Sequence, residues 1–187
     1  MNPNPIAAPT DPSLFLITGI MASGKSTVAQ MLAERFERGV HVRGDAFRRM
    51  IVSGREEMLP EPSDEAVRQL HIRYRMAAAA ADGYVEAGFS TVVQDVIVGP
   101  ELGTFIELVN TRPLYAVVLC PRAEVVAARE SSRSKQGYGI WTVDELDRIL
   151  RQDSPRVGMW LDTSDLTPEE TVREIERRAW TEAIVRT

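Results

Sequence analysis

The stretch Leu14–Thr27, LFLITGIMASGKST, runs a short apolar segment straight into the pattern G-x-x-x-x-G-K-[ST], with Gly19, Gly24, Lys25 and Ser26 in the four fixed positions. The spacing predicts a buried strand, a phosphate-binding loop and a helix starting at Gly24, whose apolar face is Val28, Met31, Leu32 and Phe36. The chemistry needs these residue types. Glycine lets backbone N–H groups close around phosphates, Lys25 reaches the β- and γ-phosphates, and the Ser26 hydroxyl suits Mg²⁺. The positive end of the helix points at the same anion. Gly19, Ala22, Ser23, Gly24, Lys25, Ser26 and Thr27 are therefore expected on a nucleoside triphosphate.

Working outward, further apolar runs at Val40–Arg43, Thr91–Val98, Leu114–Cys120 and Gly158–Asp162 read as strands, each separated from the next by room for a helix. That alternation predicts right-handed βαβ units and an α/β fold of three layers, a five-stranded parallel sheet with helices on both faces. Ser63 to Gly88 carries Val67, Leu70, Tyr74, Ala77, Ala81 and Val85 at three- and four-residue spacing, the stripe of a long helix. Pro121 suits the first position of a helix through about Ser132. Thr142 with Glu145, and Thr167 with Glu170, have capping-box spacing and mark helices at 143–153 and 168–182. The stretch Ser131–Trp141, SSRSKQGYGIW, reads as a loop between helices.

With 187 residues, 44% of them hydrophobic, the chain suits one domain. Residues 1–12 read as a proline-rich disordered tail without signal-peptide features, and 13–187 as the domain, with a lid around 129–141. No apolar run approaches the ~20 residues of a membrane span. The single cysteine, Cys120, reads as a small core residue and points to a reducing cytoplasm. A net charge of −5 argues against a nucleic-acid partner. Basic clusters nevertheless occur at Arg43, Arg48, Arg49 and Arg55, and again at Arg129, Arg133 and Lys135, as an anionic small ligand would need.

In an open parallel sheet, ligands bind beyond the carboxyl ends of the strands. After strand two come Asp45 and, one turn later, Arg48, a pair able to grip a substrate hydroxyl; as the alternative, Asp45 is a helix cap. Asp95 is a carboxylate in an apolar run, expensive to bury without a cation or donor. It is expected to hold Mg²⁺ through water or, alternatively, to contact substrate. Gln94 is expected on the opposite face. Arg129 and Arg133 suit a lid that closes over transferring phosphate. His41 and His71 lack ligand-spaced partners, and Trp141, Trp160 and Trp180 read as core or lid anchors.

The phosphate loop, together with GDAFRR, VVQDVIVGPE, VVLCPRAEVVAARESSR and WLDTSDLTPEETVREI, resembles the P-loop kinases of small molecules. The chloramphenicol phosphotransferase-like group is nearest, with zeta-toxin and gluconate or shikimate kinases more distant. The resemblance spans about Leu14 to Ala179. It implies ATP and Mg²⁺ as cofactors, Asp45 as catalytic base, Arg129 and Arg133 as lid arginines, and Asp162 and Thr163 near the adenine. Shikimate-type kinases carry an acid two residues before Asp45, where this chain has Arg43. Residues 51–65 match none of these families and are assigned to the acceptor pocket.

The expected function is therefore an ATP-dependent kinase transferring the γ-phosphoryl group to a hydroxyl of a small molecule, an antibiotic being the most specific version. The rivals are a kinase of a polynucleotide end or nucleotide sugar, and an ATP-binding switch that signals through a partner. A monomer or homodimer, with no membrane partner, is expected.

Overall fold

The computed structural model describes residues 12–132 and 139–185. Most of the proline-rich segment, together with Arg133 and Lys135, lies outside the described residues.

Five parallel strands, β1 (Leu14–Thr18), β2 (Gly39–Arg43), β3 (Ser90–Gln94), β4 (Leu114–Leu119) and β5 (Met159–Leu161), lie in the order β2-β3-β1-β4-β5. A short sixth strand, β6 (Ile184–Val185), which the sequence reading omits, pairs antiparallel with β4. Period-two alternation divides the core into two layers. Leu14, Leu16, Val93, Leu114, Ala116 and Val118 pack beneath α3 (Asp64–Glu86) and α4 (Glu101–Leu108). Phe15, Ile17, Val92, Tyr115, Val117 and Leu119 face α1 (Lys25–Ala33) and α7 (Pro168–Glu182). On that second face Phe15 stacks on Tyr115 at 5.0 Å, with Trp180 set edge-on to both rings, so Trp180 is a core anchor.

Helix boundaries follow local chemistry. Ser63 caps α3 by accepting from the Ala66 N–H at 3.0 Å. Both expected capping boxes form, at Thr142–Glu145 and Thr167–Glu170. The first opens α6 (Val143–Arg148), which continues as one π-helical turn over 149–153. Gly24 is the cap of α1, which itself begins at Lys25.

Two boundaries differ from the sequence reading. The helix expected from Pro121 is α5 (Ala123–Ser131), because the Arg122 N–H is taken by Ser164 Oγ at 2.8 Å and Arg122 stays extended as the cap. Strand β3 ends at Gln94 because side chains replace the next rungs. Asp95 accepts the N–H of Val96 at 2.7 Å, and the Thr18 hydroxyl accepts that of Ile97 at 3.0 Å while donating to the Ile97 carbonyl at 2.7 Å.

Among the described residues no helix is long and apolar enough to cross a membrane. Cys120 is buried and burial pushes its thiol pKa up, as befits a core residue rather than a nucleophile.

Candidate active site

The chain leaves β1 toward β2 on one side and later returns to β4 on the other, so the crevice opens at the carboxyl end of β1. A cleft of about 570 Å³ lies there. Met21, Ala22, Gly24, Lys25, Ser26 and Thr27 line one wall, and Arg43, Asp45, Arg73, Gln94 and Asp95 line another, with Arg129 at the edge.

The loop is shaped for close backbone approach. Gly19 has φ 145°, and a Cβ there would overlap the Leu119 carbonyl and come 2.8 Å from Ser23 Oγ. Ala22 adopts φ 60°, a conformation that non-glycine residues hold only under constraint. Lys25 Nζ folds back on the loop, donating to the Ile20 carbonyl at 2.7 Å, while Ser26 and Thr27 are exposed on the first turn of α1. Ser23 is buried in the loop interior.

Asp45 sits in the first turn of α2 (Gly44–Arg49), and the cap is Arg43. The alternative of Asp45 as cap is therefore corrected. Within the protein, Arg49 donates to Asp45 Oδ2, Arg43 Nε lies 3.5 Å from Oδ1, and Arg48 pairs with Glu57 at 2.5 Å. Arg49, at i+4 from Asp45, reaches its carboxylate across one helical turn. Burial pushes the Asp45 carboxyl up, but the hydrogen bond from Arg49 and the nearby guanidiniums of Arg43, Arg49 and Arg73 outweigh it, holding its pKa below the ordinary aspartate value.

Asp95 is 2% exposed on the cleft floor. Its partner is one the sequence reading missed. Arg73 of α3 binds it side-on, Nε to Oδ2 at 2.5 Å and Nη2 to Oδ1. The readable signal was Arg73 at three- and four-residue spacing from Leu70 and Ala77, a cation set within the apolar stripe of a helix. Gln94, expected on the opposite face, lines the same cleft beside Asp95, because the regular pleat stops at that residue.

Arg129, in the last turn of α5, donates to the Thr163 carbonyl at 2.9 Å. It thereby ties the end of α5 to the Asp162–Ser164 turn, where Asp162 accepts from the Ser164 N–H at 2.9 Å. Thr163 itself is buried. Arg133 lies outside the described residues. His41, paired through Nδ1 with Gln30, and His71, 3.1 Å from both Glu101 oxygens, stand away from the cleft lining.

Among the described residues no group of three or more His, Cys, Asp or Glu could hold a metal ion. Mg²⁺ takes most of its ligands from phosphates and water. Ser26 offers an exposed hydroxyl. Asp95 already accepts from Arg73 on both oxygens, so a contact through water keeps that pair, whereas direct ligation would break it.

Residues 14–155 match the AAA_33 (AAA domain) family, and the chain belongs to it. The architecture is the P-loop nucleoside triphosphatase fold. Among solved structures, a sugar kinase from Janibacter sp. HTCC2649 is similar at 21% identity and a TM-score of 0.68, over 94% of this chain and 99% of that one. The tunicamycin resistance protein of Deinococcus radiodurans is similar at 15% identity and 0.66, over 95% and 99%. A gluconokinase from Sinorhizobium meliloti 1021 is similar at 20% identity and 0.59, over 87% and 89%. No curated protein matches the sequence.

Proposed function

We propose that the protein is an ATP-dependent kinase that transfers the γ-phosphoryl group to a hydroxyl of a small molecule. The observation that carries this reading is the placement of Asp45 across one cleft from Lys25 and the phosphate loop. A carboxylate facing a triphosphate cradle can align an acceptor hydroxyl for in-line attack.

In this reading Lys25 and the amides of Gly19 to Thr27 hold the triphosphate, Ser26 and, through water, Asp95 would hold Mg²⁺, and Arg48 contacts the acceptor. When bound, Mg²⁺ would supply neutralisation of the triphosphate's negative charge. The acceptor oxygen bonds to the γ-phosphorus as the bond to the β-phosphate bridging oxygen breaks, and ADP leaves with that electron pair. The hydroxyl proton passes to Asp45. Because Asp45 is a weak base, the proton moves late, once the forming bond has acidified the hydroxyl. Arg129, with Arg133, stabilises charge on the equatorial oxygens, and Asp162 and Thr163 border the nucleoside. An antibiotic acceptor is the narrowest version, supported by likeness to a tunicamycin resistance protein.

Purified protein with ATP, Mg²⁺ and candidate hydroxyl compounds, read by mass detection of a phosphorylated product, tests the proposal. Acceptor-stimulated ATP consumption separates a kinase from a switch. Asp45→Asn is expected to retain ATP binding and lose transfer by ~10²–10⁴-fold. In the wild type, kcat/KM should show no Asp45-dependent fall from pH 7 to pH 5, because the Arg49 hydrogen bond and neighbouring guanidiniums hold its carboxyl below the ordinary aspartate range. Full transfer by Asp45→Asn would refute its role, and an acid limb near pH 6 would assign the base to another group.

A further inference from the structure

The cleft carries more positive charge than a triphosphate cradle requires. Lys25 and Arg129 stand on the donor side, and two further guanidiniums, Arg43 and Arg73, line the wall that holds Asp45. Arg73 is held by the Asp95 carboxylate, Arg43 stands near that of Asp45, and both have donors to spare. Arg73 uses Nε and Nη2 on Asp95, and among the described residues its Nη1 has no protein partner. Arg43 is half exposed; its nearest approach to Asp45 is Nε, 3.5 Å from Oδ1, and no hydrogen bond to that oxygen forms among the described residues. Arg73 is only 14% exposed, and Asp95 fixes its plane from below. A guanidinium pre-oriented in this way loses little freedom on receiving a ligand. Gly44 belongs to the same construction, since a Cβ there would overlap the Asp95 carboxylate.

Resting on the kinase reading, we infer that the acceptor carries an anionic group, a carboxylate or a phosphate ester, near the hydroxyl to be phosphorylated, and that Arg73 and Arg43 receive it. Asp95 then serves as a positioning residue for Arg73. A neutral acceptor would leave the remaining donors of Arg73 and Arg43 without an anionic acceptor, in a cleft whose lining carries four cations and only two carboxylates.

The test uses the full chain loaded with AMPPNP and Mg²⁺, so that the phosphate loop is filled. Inorganic phosphate, acetate and glycerol are then titrated by calorimetry. Binding of phosphate or acetate, with glycerol silent, supports the inference, and the better binder tells which anion the pocket fits. Arg43→Gln and Arg73→Lys should each weaken that binding by about tenfold, since each loses charge-assisted hydrogen bonds. Arg73→Lys keeps a cation beside Asp95 and so guards against simple unfolding. Arg177→Gln, the same charge change at an exposed residue of α7 outside the cleft lining, should leave binding unaltered. Anion binding that is absent from the loaded wild type, or equal in Arg43→Gln and Arg177→Gln, overturns the inference while the kinase reading stands. Failure of AMPPNP itself to bind overturns both.

Discussion

Gly44 marks the point where β2 becomes α2, and its value lies in what it lacks. The Asp95 carboxylate occupies the space a Cβ would take, and Asp95 in turn braces Arg73. Interiors are packed tightly enough that one methyl group is felt. Gly44→Ala should therefore push Asp95 away from Arg73, at a cost of about 2 kcal/mol for overpacking. Chemical denaturation would measure this as a lower midpoint with an unchanged m-value. Metal-free AMPPNP affinity should change little, because the phosphate loop itself is untouched. Gly44 was visible in the sequence only as part of GDAFRR. Its reason was not, since the clash involves a carboxylate more than fifty residues away.

Single elements are tied together by a few polar side chains. Asp82, buried on α3, accepts the backbone N–H groups of Asn110 and Thr111, both at 2.9 Å, and so pins the turn between α4 and β4. Burial raises its carboxyl pKa, but these donors outweigh that and hold it below the ordinary aspartate value. The stabilisation is present above the ordinary value and disappears as pH falls through the depressed one. Asp82→Ala would leave two donors without acceptors and should cost ~2–4 kcal/mol by equilibrium unfolding at pH 7, with a smaller difference at pH 3. A comparable brace joins residues 51–63 to their neighbours: the Gln69 side chain bonds Gly54 and Glu56, and Trp141 Nε1 donates to the Met58 carbonyl at 2.8 Å. The helices themselves were legible wherever a cap or stripe was strong, as α7 shows by matching its expected bounds of 168–182. α4 escaped assignment because its eight residues follow Gly99 and Pro100 without a side-chain cap. The Asp45–Arg49 and Arg73–Asp95 pairs escaped for a different reason: which guanidinium wins a carboxylate depends on packing angles that spacing leaves open.

For the whole molecule, the sequence resolved the layers more fully than the edges. Strongly apolar runs declare a sheet buried on both faces, so β1 and β4 were located to within a residue. A two-residue strand has no period to detect. Yet β6 completes β4: β5 pairs with Val117–Leu119, and β6 takes Leu114 and Tyr115, with the Ala183 carbonyl accepting from Ala116. Between them they occupy the whole outer side of that strand. An unpaired flank on a central apolar strand is a template for another chain. Deleting residues 184–187 should therefore convert a well-behaved solute into one whose scattering mass grows with concentration and incubation time. If the shortened chain stayed at constant mass across that range, the flank would be guarded by something other than β6. The last two paired residues thus act as a stopper against self-assembly, on the side of the sheet remote from any substrate chemistry.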